Sequence, residues 1–191
     1  MDLIFATNNQ HKLEEVQSLI GNSFNLKSLT DIGCTDEIPE TGITFRENAS
    51  QKTHYILERY NQNCFGDDSG LEVDALNGEP GVYSARYSGS RDFNDNVDLV
   101  LDKLRGSENR KARFKTVISL LFNEKEYFFE GVAEGEITLL RSGSEGFGYD
   151  PIFKPEGYDI TFAEMSLEEK NKISHRAKAM QQLIEFLQSA V

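Results

Sequence analysis

Apolar positions along the chain follow two periods, and the switches between them outline its elements. Leu3-Ile4-Phe5-Ala6 is a continuous apolar run, within a strand-like stretch that begins at Met1, and predicts a buried first strand. Asn8 and Asn9 follow as turn or cap residues, after which Leu13, Val16, Leu19 and Ile20 recur at helical spacing. Residues 24–29 alternate and predict a second strand, followed by a loop through Gly33, Pro39 and Gly42. Thr44 and Glu47 have the spacing of a capping box, so a helix starts there; it carries Phe45, Ala49, Ile56, Leu57 and Tyr60 and should end near Asn61. Cys64-Phe65-Gly66 leads into Asp67-Asp68-Ser69-Gly70, which reads as an acidic turn, and Leu71, Val73 and Ala75 then alternate as a strand. Asn77-Gly78 and Pro80-Gly81 form a turn cluster.

Val97, Val100, Leu101 and Leu104 predict another helix. Residues 114–122 and 127–132 are β-rich and separated by Asn123-Glu124, the pattern of a hairpin, and 137–140 reads as a further strand. Residues 142–158, with four glycines and two prolines, predict a loop. Ser166 and Glu169 form a second capping box, and Ile173, Ala177, Met180, Ile184 and Leu187 continue one apolar stripe. Residues 166–188 suit one helix or two, with Asn171 and Ser174 each able to cap a restart. Strands cluster in the middle and helices bracket them, which predicts an α/β fold with a mixed sheet and helices on both faces.

Composition narrows the function classes. The 191 residues suit a single domain over 1–191, with room for two lobes on a shared sheet. Twenty Lys and Arg against 32 Asp and Glu give a net charge of -12, which excludes a duplex nucleic-acid binder while leaving room for a small anion held by local cations. No apolar run approaches the roughly 20 residues that span a bilayer, and the start lacks the basic, longer apolar pattern of a secretory signal. Cys34 and Cys64 fit no zinc spacing and are expected to be free thiols. The expected setting is the cytoplasm, without membrane or nucleic-acid partners.

Five segments could bear chemistry. Thr7, Asn8, Asn9, Gln10, His11 and Lys12 lie between a strand and a helix, where backbone N–H groups and a first-turn lysine attract phosphate; a polar turn with a solvated lysine is the plainer reading of the same residues. Asp67 and Asp68 point in opposite directions if the backbone is extended, so one can serve magnesium or water while the other makes structural hydrogen bonds; an acidic turn is the plainer reading. Glu40 supplies a second carboxylate and Lys52 a further cation, or both are ordinary surface residues. The 146–151 loop, with Gly146, Phe147, Gly148, Tyr149 and Asp150, lets backbone approach a flat ligand while a ring stacks on it; it also suits an ordinary loop. Lys170, His175 and Arg176 offer donors to a carbonyl or phosphate oxygen, or form a solvated basic turn. Lysines for phosphate, carboxylates for a metal and a glycine–aromatic loop for a base together point to a nucleotide and a metal-assisted phosphoryl reaction.

Taken in order, Thr7 to Lys12, Glu40-Thr41-Gly42, Thr44-Phe45-x-Glu47-Asn48-Ala49, Asp67 to Leu71, Pro80 to Tyr87, Gly146 to Pro151 and Ser174-His175-Arg176 resemble the RdgB/HAM1 family of inosine triphosphate pyrophosphatases. The resemblance implies hydrolysis of ITP, dITP and XTP to the monophosphate and pyrophosphate with Mg2+, clearing non-canonical purine nucleotides from the pool. It also implies an elongated mixed sheet with two helical lobes, an active cleft between them, and a homodimer. Carried over by position, Thr7 to Lys12 match the triphosphate-binding turn, Asp68 the catalytic and metal-binding aspartate, Ser69 a substrate contact, Glu40 a metal-associated acid and Lys52 a phosphate-side lysine. Phe147, Gly148, Tyr149 and Asp150 match the base-binding loop, and Lys170, His175 and Arg176 the base-side cluster, in which Arg176 is expected to donate to the 6-oxo group. One departure is Pro39, where some members carry an acid before the Glu40 position. Residues 77–90, with Val82, Tyr83 and Tyr87, are the expected place for a dimer interface. A Maf-like nucleotide pyrophosphatase with another base preference and a nucleotide-sensing module without turnover are the rival readings. The glycine–aromatic loop and the Ser-His-Arg group favour the inosine-type family over the Maf-like one.

Overall fold

The structure is a computed structural model that describes residues 2–20 and 24–190; Met1 of the first predicted run lies outside them. The helices are α1 (Gln10–Ile20), α2 (Phe45–Tyr60), α3 (Phe93–Lys103), α4 (Leu167–Lys170) and α5 (His175–Ala190). The strands are β1 (Asp2–Phe5), β2 (Asn25–Lys27), β3 (Cys64–Val73), β4 (Lys111–Phe122), β5 (Lys125–Ile137) and β6 (Phe153–Pro155). Among the described residues they form a six-stranded sheet ordered β2-β1-β3-β4-β5-β6. It is mixed, as expected: β1 runs parallel to β2 and β3, and β6 runs antiparallel to β5. No described helix is long and apolar enough to cross a membrane.

The chain divides into two compact units, the first of Met1–Asp68, Thr116–Gly131 and Arg176–Val191, the second of Ser69–Lys115 and Val132–His175. In the first unit β1 is buried on both faces, which is why its sequence is continuously apolar. Leu3 and Phe5 pack with Val16 and Ile20 of α1 and with Ala179, Met180, Leu183 and Leu187 of α5. Ile4 and Ala6 pack oppositely, with Ile56 of α2, Cys64 and Cys34. Helices thus cover both faces here. The second unit's core gathers Leu71 and Val73, Val97 and Val100 of α3, and Phe114, Phe153 and Phe162.

Several local signals are realised. Asn61 caps α2 in the left-handed region, and Asn123 and Glu124 both have positive φ, 51° and 62°, the requirement of a two-residue type I′ hairpin turn. Residues 166–188 form two helices: the Ser174 N–H bonds back to the Lys170 carbonyl at 2.8 Å, and α5 starts at His175.

Three expectations are corrected. Asp67-Asp68-Ser69-Gly70 is not a turn but lies inside β3, because both carboxylates find partners that allow an extended buried backbone. The predicted strand over 137–140 does not form: β5 ends at Ile137, where Arg110 donates to the carbonyls of Ile137 and Thr138, and Leu139 and Leu140 are 75% and 78% exposed. The predicted 142–158 loop contains the short strand β6, whose Phe153 and Pro155 are buried. Both cysteines are free and buried, and burial pushes the Cys64 thiol up to about 12.

Candidate active site

Pairing of β1 with β3 places the acidic segment beside the turn that follows β1. In that turn Thr7 Oγ1 accepts from the Asn9 N–H at 3.2 Å, while Asn9 Oδ1 accepts from the Lys12 N–H at 3.2 Å and the Asn9 carbonyl from the Leu13 N–H at 3.1 Å. Asn9 thereby caps α1 and sets Lys12 in its first turn. Asn8, Gln10 and His11 are exposed.

Alternation along β3 sends its two carboxylates to opposite faces. Asp67 shares the face of Phe65, toward α1 and α5. Its Oδ1 accepts from Lys12 Nζ at 2.9 Å, and its Oδ2 from Arg176 Nε and Nη2 at 3.3 and 3.2 Å. Arg176 Nη1 also binds Glu15 of α1. Asp68 shares the face of Gly66, toward α2, and its Oδ2 accepts from Asn48 Nδ2 at 2.8 Å. Lys52, one turn beyond Asn48 on α2, donates to the Asp67 carbonyl at 2.8 Å and pairs with Glu40. Gly66 permits this close approach: a Cβ there would lie 3.0 Å from Lys52 Cβ and 3.3 Å from the Ala49 carbonyl.

Three cations, Lys12, Lys52 and Arg176, therefore interleave with four carboxylates, Glu15, Glu40, Asp67 and Asp68. Burial works against the Asp67 charge, but Lys12, Arg176 and Lys52 hold its carboxyl far below the usual range. Asp68 differs: burial raises its pKa, and Lys52, Lys12 and the Asn48 bond only partly offset that. Burial also lowers the Lys12 pKa despite Asp67. For Lys52 burial is outweighed by Asp68, Glu40 and Asp67, so its pKa rises. Burial would raise Glu40, yet Lys52 brings its pKa below the ordinary value.

A second cluster lies in the second unit. Asp150 Oδ2 accepts from the Phe147 N–H at 2.9 Å and from Lys170 Nζ at 2.7 Å. The Lys170 ammonium sits 5.2 Å from the Phe147 ring centroid and 5.5 Å from that of Phe162, within cation–π range. Gly146 has φ +73°, and a Cβ there would come 2.1 Å from Asp150 Oδ2, so this loop needs glycine. The Tyr149 hydroxyl donates to the Ser84 carbonyl at 2.8 Å, and the His175 ring stacks on Phe114 at 4.7 Å. Gly148 also has positive φ, and Ser69 follows Asp68 on β3, half-buried.

The structure thus sorts the expected residues into two groups. Thr7, Asn9, Lys12, Glu40, Lys52 and Asp68 fall in the first, and Phe147, Tyr149, Asp150 and Lys170 in the second. Arg176, expected beside Lys170 and His175 as a base reader, instead has three nitrogens engaged by Asp67 and Glu15. The lysines expected for phosphate already face carboxylates of the chain. Glu15, Asn48 and Gln51 went unassigned, although Asn48 and Lys52 both sit on the Phe45–Ala49–Ile56 stripe of α2, where a polar residue has to find a partner. Among the described residues no three acids, histidines or cysteines converge as a metal cage. Asp68 and Glu40 are nevertheless carboxylates of the kind a hard divalent cation takes, completing its shell with phosphate oxygens and water. An open cavity of about 960 Å³ beside α3, lined by Asp95, Asp98, Asp102, Arg105 and Arg110, contains none of these residues.

Comparison with known proteins agrees over the whole chain. A sequence model of the Ham1 family matches residues 3–186. A Flavobacterium johnsoniae protein named dITP/XTP pyrophosphatase is 54% identical over 188 residues, covering 98% of each chain. A Flavobacterium psychrophilum protein of the same name is 52% identical, covering 99% of this chain and 100% of its own. The Ham1 protein of Staphylococcus aureus superposes with a TM-score of 0.91 at 38% identity, covering 100% of both chains.

Proposed function

The chain belongs to the Ham1 family, and from that premise we infer that it is a nucleoside-triphosphate pyrophosphatase that hydrolyses dITP, ITP and XTP to the monophosphate and pyrophosphate. The observation that carries the reading is the full-length likeness to relatives bearing the name dITP/XTP pyrophosphatase, joined to a buried acid–lysine cluster at the start of α1. The family implies a divalent metal, and we propose Mg2+ held by Asp68 and Glu40. When bound, it supplies charge neutralisation on the leaving pyrophosphate.

The chain's own residues do the rest. The N-terminus of α1 with Lys12 binds the triphosphate, aided by Lys52. Water is added across the α–β anhydride, and Asp68 accepts its proton; burial brings the Asp68 pKa nearer the working pH, where a general base acts best. Asp67 keeps Lys12 and Arg176 oriented. In the second unit Asp150 fixes Lys170 and the 147 N–H, and Phe147 offers its ring to the purine. Arg176 reaches a base only by releasing Asp67 or Glu15. We assign the enzyme to the cytoplasm and to a homodimer, the commonest symmetric assembly of soluble proteins.

The deciding experiment is a panel of dITP, XTP, GTP, ATP and dUTP with and without Mg2+, with pyrophosphate and phosphate assayed separately. Pyrophosphate from dITP and XTP, well above GTP and ATP, is expected. Preference for another base would favour the Maf-like reading, and tight binding without turnover the sensing one.

A further inference from the structure

We propose that Asn48 is the positioning residue that locks the two metal-side carboxylates, Asp68 and Glu40, into one arrangement; this rests on the pyrophosphatase reading above. Asn48 is fully buried on α2 and reaches two separate segments. Its Oδ1 accepts from the Gly42 N–H at 2.8 Å, and its Nδ2 donates to Asp68 Oδ2 at 2.8 Å. A backbone N–H can only donate, so the atom facing Gly42 must be the oxygen. The amide is thereby oriented, and the group presented to Asp68 must be a donor. Asp68 Oδ2 is kept as an acceptor and is anchored to α2.

The other end of the bond holds the Glu40 segment. Gly42 is two residues from Glu40, and Thr41 between them is clamped by Gln51, which accepts from its N–H at 2.9 Å and donates to its hydroxyl at 2.7 Å. These three bonds from Asn48 and Gln51 join the Lys52–Glu40 pair and the Glu47 carboxylate that accepts from the Ile43 N–H, so side chains of one helix set a loop that has no regular structure of its own. Gly42 fits only as glycine, because a Cβ there would lie 2.6 Å from Glu47 Cβ and 2.8 Å from Asn48 Oδ1. Partners of this kind, one bond removed from a metal ligand, orient the ligand and typically govern metal affinity by about 10–100-fold.

The test compares wild type with Asn48→Ala, Gly42→Ala and Asp68→Asn. Mn2+ affinity is measured by electron paramagnetic resonance with saturating α,β-imido-dITP, alongside kcat, KM and the thermal midpoint. Asn48→Ala should weaken Mn2+ about 10–100-fold and lower kcat with a KM for dITP within about threefold of wild type. Gly42→Ala, which keeps Asn48 and both acids in the sequence but drives a methyl against Asn48 Oδ1, should shift both readouts in the same direction. A residue that only supported the fold would lower the thermal midpoint and the active fraction while the folded protein kept its Mn2+ affinity. That outcome, with Asp68→Asn losing the ion, overturns the inference alone. Mn2+ binding unchanged in both Asn48→Ala and Asp68→Asn overturns it together with the assignment of the metal to Asp68.

Discussion

Arg176 grips Asp67 through two nitrogens on one oxygen, Nε at 3.3 Å and Nη2 at 3.2 Å from Oδ2, with both side chains almost wholly buried. Lys12 takes the other Asp67 oxygen and Glu15 takes the remaining arm of Arg176. Residues far apart in sequence are joined in one charge network in which Arg176 is the cation that both Glu15 and Asp67 face, so its removal leaves Glu15 without that cation and Asp67 with Lys12 alone.

Removal of one partner of a buried ion pair typically costs about 3–5 kcal/mol. Arg176→Ala should destabilise on that scale in urea unfolding at pH 7, and a loss under 1 kcal/mol would mean that water or rearrangement replaces the pair. The Asp67 pKa is depressed in the folded state, so its contribution is present above the unfolded carboxylate value of about 3.9 and is lost as pH falls below it toward the folded pKa. Asp67→Asn should therefore flatten the acid limb of the stability curve.

Asp68 has the opposite sign. Its folded pKa is raised by burial, so the native state binds the proton more tightly than the unfolded chain, and stability falls as pH rises through that window. Asp68→Asn should cut turnover by about 100-fold or more. Without divalent ions it should also stabilise the chain, more at pH 8 than at pH 3. Near-normal turnover would show that the catalytic base lies elsewhere; stability loss at pH 8 would show that the charge is satisfied as it stands.

The lysines make a binding prediction. On the proposed reading, Lys12→Ala should remove a charge-assisted contact of about 1.5–3 kcal/mol to the triphosphate. Binding of dITP should weaken far more than binding of deoxyinosine in calorimetry. Equal weakening of both would move Lys12 from the phosphate to the fold.

The elements were legible wherever one local rule decided them: the Thr44–Glu47 capping box, the Asn61 cap, the Asn123-Glu124 turn. The strand around Asp67 and Asp68 was not, because local propensity reads adjacent aspartates as a turn, and only partners distant in sequence (Lys12, Asn48 and Arg176) make an extended buried backbone affordable. The same distance hid the division of the basic residues. Arg176 follows His175 directly, yet α5 turns it onto Glu15 and Asp67 while His175 stacks on Phe114. Asn48 stood in the sequence only as a member of the Thr44–Ala49 motif, because its partners, Gly42 and Asp68, lie outside α2.

Assembly tests the surface around residues 77–90. Tyr87 is tied within the chain, donating to Glu79 at 2.6 Å and accepting from Lys103 at 2.8 Å, whereas Tyr83 is 55% exposed. Sedimentation at micromolar protein should give a dimer, and Tyr83→Asp should shift it toward monomer. A monomeric wild type refutes the dimer, and an unaffected variant moves the interface away from Tyr83.

Base choice tests the second cluster. Inosine and xanthine present a 6-oxo acceptor, whereas adenine presents a 6-amino donor; an ammonium has donors only. Lys170 is held by Asp150 at 2.7 Å and lies within cation–π range of Phe147 and Phe162, and on the proposed reading it is the donor that meets the edge of a purine stacked on Phe147. With adenine this donor would face another donor and both would go unpaired, the situation in which a hydrogen-bonding site rejects a substrate most strongly. Phe147 stacks on either ring and discriminates little. Lys170→Ala should cost about 1–3 kcal/mol in kcat/KM for dITP and less for dATP, narrowing their ratio. Arg176→Ala, which takes from Asp67 one of its two cations, should lower both substrates alike. If Lys170→Ala leaves the ratio unchanged and Arg176→Ala narrows it, Arg176 leaves its carboxylates to read the base, and the selectivity belongs to the start of α5.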